Sequence, residues 1–171
     1  MTIAQNNFFI LTIKLWKMRT IDKIILHCTA STFGKNFTVA NIDVWHKARN
    51  FTKQKSGHYC GYHYVIWLDG TIEQGRTEDE VGAHCKGQNA HSIGIATVGG
   101  VDEKMNPLDT RTEPQKIALY TLVKTLLEKY NLTIDNVYCH NQFANKACPS
   151  YSIKQFKEEY KNWLEDKKQY E

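Results

Sequence analysis

Tyr138-Cys139-His140-Asn141-Gln142-Phe143-Ala144-Asn145-Lys146-Ala147-Cys148-Pro149 places a histidine, a lysine and a cysteine in one short loop closed by a proline. Neutral imidazole and thiolate are ligand types that zinc prefers, and a short loop can turn both donors toward one point. Two protein ligands do not make a site, so at least one more must come from elsewhere. The best donor lies far upstream: His27, at the end of the apolar run Ile24-Ile25-Leu26. A set of His27, His140 and Cys148 would leave a fourth position for water, the composition of a catalytic zinc site rather than a closed structural one. This reading also constrains the fold. Ligands at the exits of the first and last strands require those strands to lie near each other in one sheet.

Working outward, Ile21 to Cys28 is short, β-branched and apolar, which predicts a buried strand. The polar stretch from Thr29 to Gly34 is the loop at its exit, and strand-end side chains point into loops where sites are built. Apolar residues at Val39, Ile42, Val44, Trp45 and Ala48 predict a helix over Val39 to Arg49, capped by Thr38. His46 and Lys47 are expected on or near its solvent edge, His46 as a surface or packing residue and not a ligand. Residues 50–61 read as a polar loop. The aromatic and β-branched run from Gly61 to Leu68, the Asp69-Gly70 turn and Thr71 to Gln74 predict a hairpin. Tyr62 and His63 point to opposite faces of that strand, so only one of them can face the site.

Residues 82–89 form a glycine-bearing loop, Ser92 to Val98 a further strand ended by Gly99-Gly100, and 101–111 an irregular loop. Thr112-Glu113-Pro114-Gln115 is a capping box with proline in the first turn, and the helix after it carries apolar residues at 119, 122, 123, 126, 127 and 130. Val137-Tyr138-Cys139 is a last short strand that delivers His140. Ser152 caps a final helix whose apolar face is Ile153, Phe156, Tyr160, Trp163 and Leu164. The order strand, helix, hairpin, strand, helix, strand, helix predicts a single α/β domain, a central mixed β-sheet flanked by about three α-helices.

A chain of 171 residues, 42% hydrophobic and 12% aromatic, can bury one good core and is too short for two. The net charge of +4 suits attraction to an anionic polymer such as a bacterial cell wall, and equally an ordinary protein. Five irregularly spaced cysteines, an odd count, indicate reduced thiols, one of them a metal ligand, and synthesis in a reducing compartment. The run Phe8 to Ile13 is too short to span a bilayer and is followed at once by Lys14. It also lacks the preceding positive charge and small-residue cleavage site of a secretory signal. Residues 1–17 therefore read as an extension ahead of a second plausible start at Met18, with the domain over 18–171.

A zinc ion on three protein ligands lowers the pKa of bound water from about 15.7 to about 7 and polarises a carbonyl, which brings amides within reach. Lys146, two residues from Cys148, can hold positive charge near a developing oxyanion, and Tyr62 can hydrogen-bond the water or the oxyanion. Taken singly, His27 reads as a buried histidine on a backbone carbonyl, Lys146 as a solvated loop lysine and Tyr62 as a packed strand aromatic. Their convergence is what gives them roles.

These residues sit in stretches that resemble the zinc N-acetylmuramoyl-L-alanine amidases of the type 2 family, phage members above all. The matching stretches are Ile25-Leu26-His27-Cys28-Thr29-Ala30, Trp45-His46-Lys47, Gly61-Tyr62-His63-Tyr64 and Asp69 through Arg76. They continue with His84 through Asn89, Ser92-Ile93-Gly94-Ile95, Gly99-Gly100, and His140 through Ser150. The resemblance implies the peptidoglycan-recognition-protein fold and hydrolysis of the amide between N-acetylmuramic acid and L-alanine in peptidoglycan. It implies one zinc ion per chain on His27, His140 and Cys148, with Tyr62 and Lys146 as the catalytic pair. His84 and Asn89 fall in the loop that lines the substrate groove and carry over as binding residues.

Two departures stand out: the loop at 51–60 is longer than in phage members, and the extension at 1–17 has no counterpart. The implied partner is peptidoglycan, reached after synthesis in the cytoplasm and release. Some phage members also bind their phage's RNA polymerase, which nothing in these residues decides. Nucleic acid and membrane are not expected partners, and a monomer is expected. Two alternatives share the fold: a cytosolic amidase that recycles soluble muropeptides, and a non-catalytic peptidoglycan-binding module. Such modules commonly lack the cysteine ligand that Cys148 supplies here.

Overall fold

Backbone hydrogen bonding in a computed structural model, which describes residues 19–169, gives ten regular elements. In chain order they are β1 (Lys23–Cys28), β2 (Ser31–Thr32), α1 (Val39–Ala48), β3 (Tyr64–Ile66), β4 (Ile72–Gln74), β5 (Ser92–Thr97), β6 (Gly100–Val101), α2 (Glu113–Tyr130), β7 (Val137–Cys139) and α3 (Ile153–Lys168). The expected extension at 1–17 lies outside the described residues. No helix among the described residues is long and apolar enough to cross a membrane.

Five strands form a mixed sheet in the order β4-β3-β5-β1-β7, in which β3 and β4 pair antiparallel and the other neighbours run parallel. β1 has a strand on each side and both faces covered, which is why Ile24-Ile25-Leu26 is continuously apolar and has no solvent exposure. Its even-numbered residues, Ile24 and Leu26, enter a core built with α2 and α3: Leu119, Val123, Leu126, Phe156 and Tyr160. His27 alternates to the opposite face. On the other side of the sheet Val65 and Val98 pack against Val39 and Ile42 of α1 in a second, smaller cluster. Each of these fully buried aliphatic side chains contributes roughly 1.5–3 kcal/mol.

The register between first and last strands positions the site. Leu26 pairs with Cys139, so the next residues out, His27 and His140, leave the sheet side by side. The juxtaposition required by the ligand reading is present.

Helix α2 begins as its capping box dictates: Thr112 accepts from the Gln115 N–H, and the Gln115 side chain accepts from the Thr112 N–H. Gln115 also does more than cap. Fully buried, it donates to the carbonyls of Ile66 and Val98 and so ties the helix to β3 and the end of β5.

Helix α1 corrects one expectation. Val44 is 67% exposed, Trp45 and Ala48 also face solvent, and the buried stripe is Val39, Ile42 and His46. His46 is thus buried and off the solvent edge, because its Nδ1 accepts the Gly61 N–H at 2.8 Å. A polar ring with its acceptor satisfied can be buried at little cost. Lys47 is exposed as expected. The two-residue strands β2 and β6, which pair parallel in a separate small sheet, fall inside stretches read as loops. Two residues carry no periodicity to recognise.

Candidate metal centre

Two strand ends and one loop assemble the centre. After β7 the chain makes a 3₁₀ turn over His140–Gln142 and then returns, and the Asn141 N–H donates to the Cys148 carbonyl at 2.9 Å. That bond closes the loop so that His140 and Cys148 flank one another. The Cys139 N–H is held by the Gln142 side chain at 2.9 Å, and the Asn141 side-chain amide donates to the Tyr151 carbonyl. From β1, the Cys28 backbone N–H points at the Cys148 sulfur at 3.3 Å. His27, His140 and Cys148 each offer one ligand atom, and these atoms all lie within 4.8 Å of one another. The His27 and His140 ring centroids are 4.6 Å apart.

The donor set fits zinc. Tetrahedral bonds of about 2.0–2.1 Å to nitrogen and about 2.3 Å to sulfur hold neighbouring N and S ligands about 3.6 Å apart. His27 Nδ1 lies 3.7 Å from the Cys148 sulfur. A backbone N–H aimed at that sulfur favours its thiolate form.

The two imidazoles are in the state that metal binding needs. Burial pushes the His27 imidazole well below its ordinary pKa, and the charges of His140 and Lys146 add to the effect. Burial also lowers His140, again helped by Lys146. Both rings are therefore neutral near pH 7, as metal ligands must be. Cys148 is pushed up by its hydrogen bond with the Cys28 thiol and by burial, while the same bond brings Cys28 down to about 7. A cation seated among the three side chains would favour the thiolate form of Cys148. Cys60 and Cys139 are pushed by burial to about 12, and all five cysteines are free.

Tyr62 stands against this centre, its ring 5.2 Å from that of His27, and burial raises its phenol so that it keeps its proton. His63 turns the other way, accepting the Gly94 N–H at Nδ1 and lying against Arg19 and the Glu80 carbonyl at Nε2. Of that pair Tyr62 is the one that faces His27.

An open groove of about 540 Å³ runs past His140, lined among others by His84, Asn89 and Lys146. Lys146 is exposed on its rim, near enough for its charge to act on both histidines. The Asn89 side-chain oxygen accepts the backbone N–H groups of His84 and Cys85, at 2.9 and 2.8 Å, and fastens the loop. His84 is buried with Nδ1 3.0 Å from Nε2 of His27, so its ring is engaged with that imidazole. Arg49, Phe51, Lys86 and Phe143 also line the groove, and sequence reading passed over them. Phe143 and Lys86 carried a signal, their places in the loop between His140 and Cys148 and in the loop from His84 to Asn89.

Two imidazoles and a thiol are gathered at the exits of parallel strands, with a tyrosine against them and an open groove bearing a lysine alongside, a donor set able to hold a metal ion next to a substrate groove. Comparison with known proteins then specifies it. Residues 17–151 match the family described as N-acetylmuramoyl-L-alanine amidase, and the chain belongs to that family. The chain is 39% identical to the endolysin of Escherichia phage T7 over 135 residues, 79% of this chain and 84% of the relative. It is 39% identical to the endolysin of Enterobacteria phage T3 over 137 residues, 80% and 85% respectively. Among solved structures, the N-acetylmuramoyl-L-alanine amidase LysC from Clostridium intestinale URNW superposes with a TM-score of 0.67 at 32% identity, covering 81% of this chain and 84% of that one. The single α/β domain with a mixed sheet and three helices is the shared architecture.

Proposed function

We propose that the chain is a zinc amidohydrolase that cleaves the bond between N-acetylmuramic acid and L-alanine in peptidoglycan, in the manner of a phage endolysin acting on the wall after release. The observation that carries this reading is the convergence of His27, His140 and Cys148 within 4.8 Å, with His140 lining the groove, in a chain of the amidase family. His27 and His140, both neutral, and Cys148 as thiolate would hold the ion. Zinc there supplies an activated water and a Lewis acid for the scissile carbonyl.

The chain's own groups do the rest. Lys146 stands at the groove rim, where its side chain can stabilise the carbonyl oxygen of a bound amide as it becomes negative during attack. Tyr62, a phenol that retains its proton and stands against His27, would donate a hydrogen bond to the tetrahedral species from the side of that ring. The groove presents Arg49, Lys86 and Lys146 and no carboxylate among its lining residues, which suits an anionic wall polymer. The mild net charge of +4 had left that point open.

Mass spectrometry of digests of purified peptidoglycan tests the proposal. The expected products are stem peptides with a free L-alanine amino terminus and glycans with an intact lactyl carboxylate. They should vanish on treatment with a chelator and return on adding zinc. Cleavage at a glycosidic bond, or digestion indifferent to the chelator, would overturn the reading.

A further inference from the structure

We infer that His84 is a positioning residue for the metal centre, fixing the tautomer and aim of His27 through a buried hydrogen-bond relay that ends on the carbonyl of Gln88. This rests on the proposed zinc site and reassigns a residue expected to bind substrate.

The direction of each bond follows from the far end. A carbonyl oxygen only accepts, so the Ser92 hydroxyl donates to Gln88 O at 2.8 Å. The Ser92 oxygen is then left as an acceptor, and the group facing it, at 3.4 Å, is His84 Nε2. A proton on Nε2 leaves His84 Nδ1 bare, 3.0 Å from His27 Nε2. That atom can only accept, so His27 carries its proton on Nε2. Its Nδ1 lone pair is thereby left facing Cys148, with the sulfur 3.7 Å away. Reverse the relay and the proton sits on Nδ1, where His27 could bind no metal.

The surroundings are built for this ring. A Cβ on Gly94 would lie 2.5 Å from both Cδ2 and Cγ of His84, and one on Gly82 would lie 2.5 Å from Cδ2. Two side-chain-free positions thus let the backbone close on the imidazole and hold it edge-on to His27, with 80° between the rings. His27, His84 and Ser92 are all buried. Both ring nitrogens of His84 are engaged inside the protein, leaving none for a substrate.

Two variants of nearly equal shape isolate the effect. His84→Asn keeps an oxygen acceptor near the position of Nδ1, whereas His84→Leu offers none. Zinc affinity is read by competition with a chromophoric chelator, with thermal melts as a check on folding. His84→Leu should bind zinc about 10–100-fold more weakly, and His84→Asn should recover most of that loss. Long-range ¹H–¹⁵N NMR of the unsubstituted zinc-free protein should show the His27 proton on Nε2, a measurement that holds even if both variants fold poorly. A proton on His27 Nδ1, unchanged zinc affinity in His84→Leu, or an Asn variant no better than the Leu variant overturns the inference. A substrate contact, by contrast, would raise KM and leave zinc affinity alone. Cys148→Ser measured in parallel separates the two levels. Zinc lost there but kept by His84→Leu sinks only the relay, and zinc kept in both sinks the site beneath it.

Discussion

Gly94→Ala places one methyl group where the His84 ring already lies. The new carbon would sit 2.5 Å from Cδ2 and Cγ and 2.7 Å from Nδ1, whereas carbons at rest stand about 3.5–4.0 Å apart. The ring must therefore retreat by about 1 Å. Gly82 already closes on Cδ2, so there is little room to retreat into. A shift of that size takes the 3.0 Å contact between His84 and His27 to the edge of hydrogen-bonding range. Backbone strain is not the cause, since Gly94 is absent from the positions with positive φ.

Overpacking of this kind costs about 1–3 kcal/mol. At about 2–4 °C per kcal/mol for a chain of this size, Tm should fall by about 2–12 °C. The assay is a thermal melt followed by a double-mutant cycle with His84→Ala, which removes the obstructing ring. Because the methyl then occupies vacated space, the two substitutions should couple favourably by about 1 kcal/mol or more. A Gly94→Ala protein that melts with the parent, or a cycle additive to within about 0.5 kcal/mol, would refute the steric argument.

Lys146→Ala should keep its zinc, and its stability within about 0.5 kcal/mol because the side chain is exposed, while kcat falls about 10²–10³-fold; steady-state kinetics on purified wall fragments decide, and unchanged turnover removes Lys146 from the mechanism. Glu78 supplies a pH dependence away from the site. Burial raises its carboxyl pKa, but hydrogen bonds from Tyr130, Tyr64 and Lys129 outweigh burial and leave it below the ordinary glutamate value. A depressed folded pKa means stability that is present above the unfolded value of about 4.3 and lost as pH falls through the folded one. Glu78→Gln should therefore cost about 1–3 kcal/mol at pH 7 and flatten the loss of stability below about pH 4.5. Urea titrations from pH 3 to 7 measure both, and a parallel acid limb in the two proteins would contradict the assignment.

Most of the fold was legible because local signals and long-range demands coincide. Thr112 and Gln115 mark the start of α2, Asp69-Gly70 the hairpin, and a ligand at each strand exit the adjacency of β1 and β7. α1 was read with the wrong face because apolarity was the guide, and the decisive contact is polar: the Gly61 N–H on His46. That His27, His140 and Cys148 come together could be read because each ends a strand or closes a loop. The place of His84 could not. Gly82, Gly94, Ser92 and Gln88 matter only through the shape they make around one ring, and that shape has no spacing along the chain. Arg49 and Phe51 reach the groove from a loop whose course is set by distant anchors, including Asp43, which holds His58 and the Cys60 N–H.

X-ray absorption at the zinc edge of the loaded protein tests the central claim most directly, because it counts the atoms bound to the ion. The account predicts one sulfur at about 2.3 Å and two imidazole nitrogens at about 2.0–2.1 Å, with a single further light atom from solvent. Two sulfurs, which would bring Cys28 into the coordination shell beside Cys148, or none at all, would contradict it.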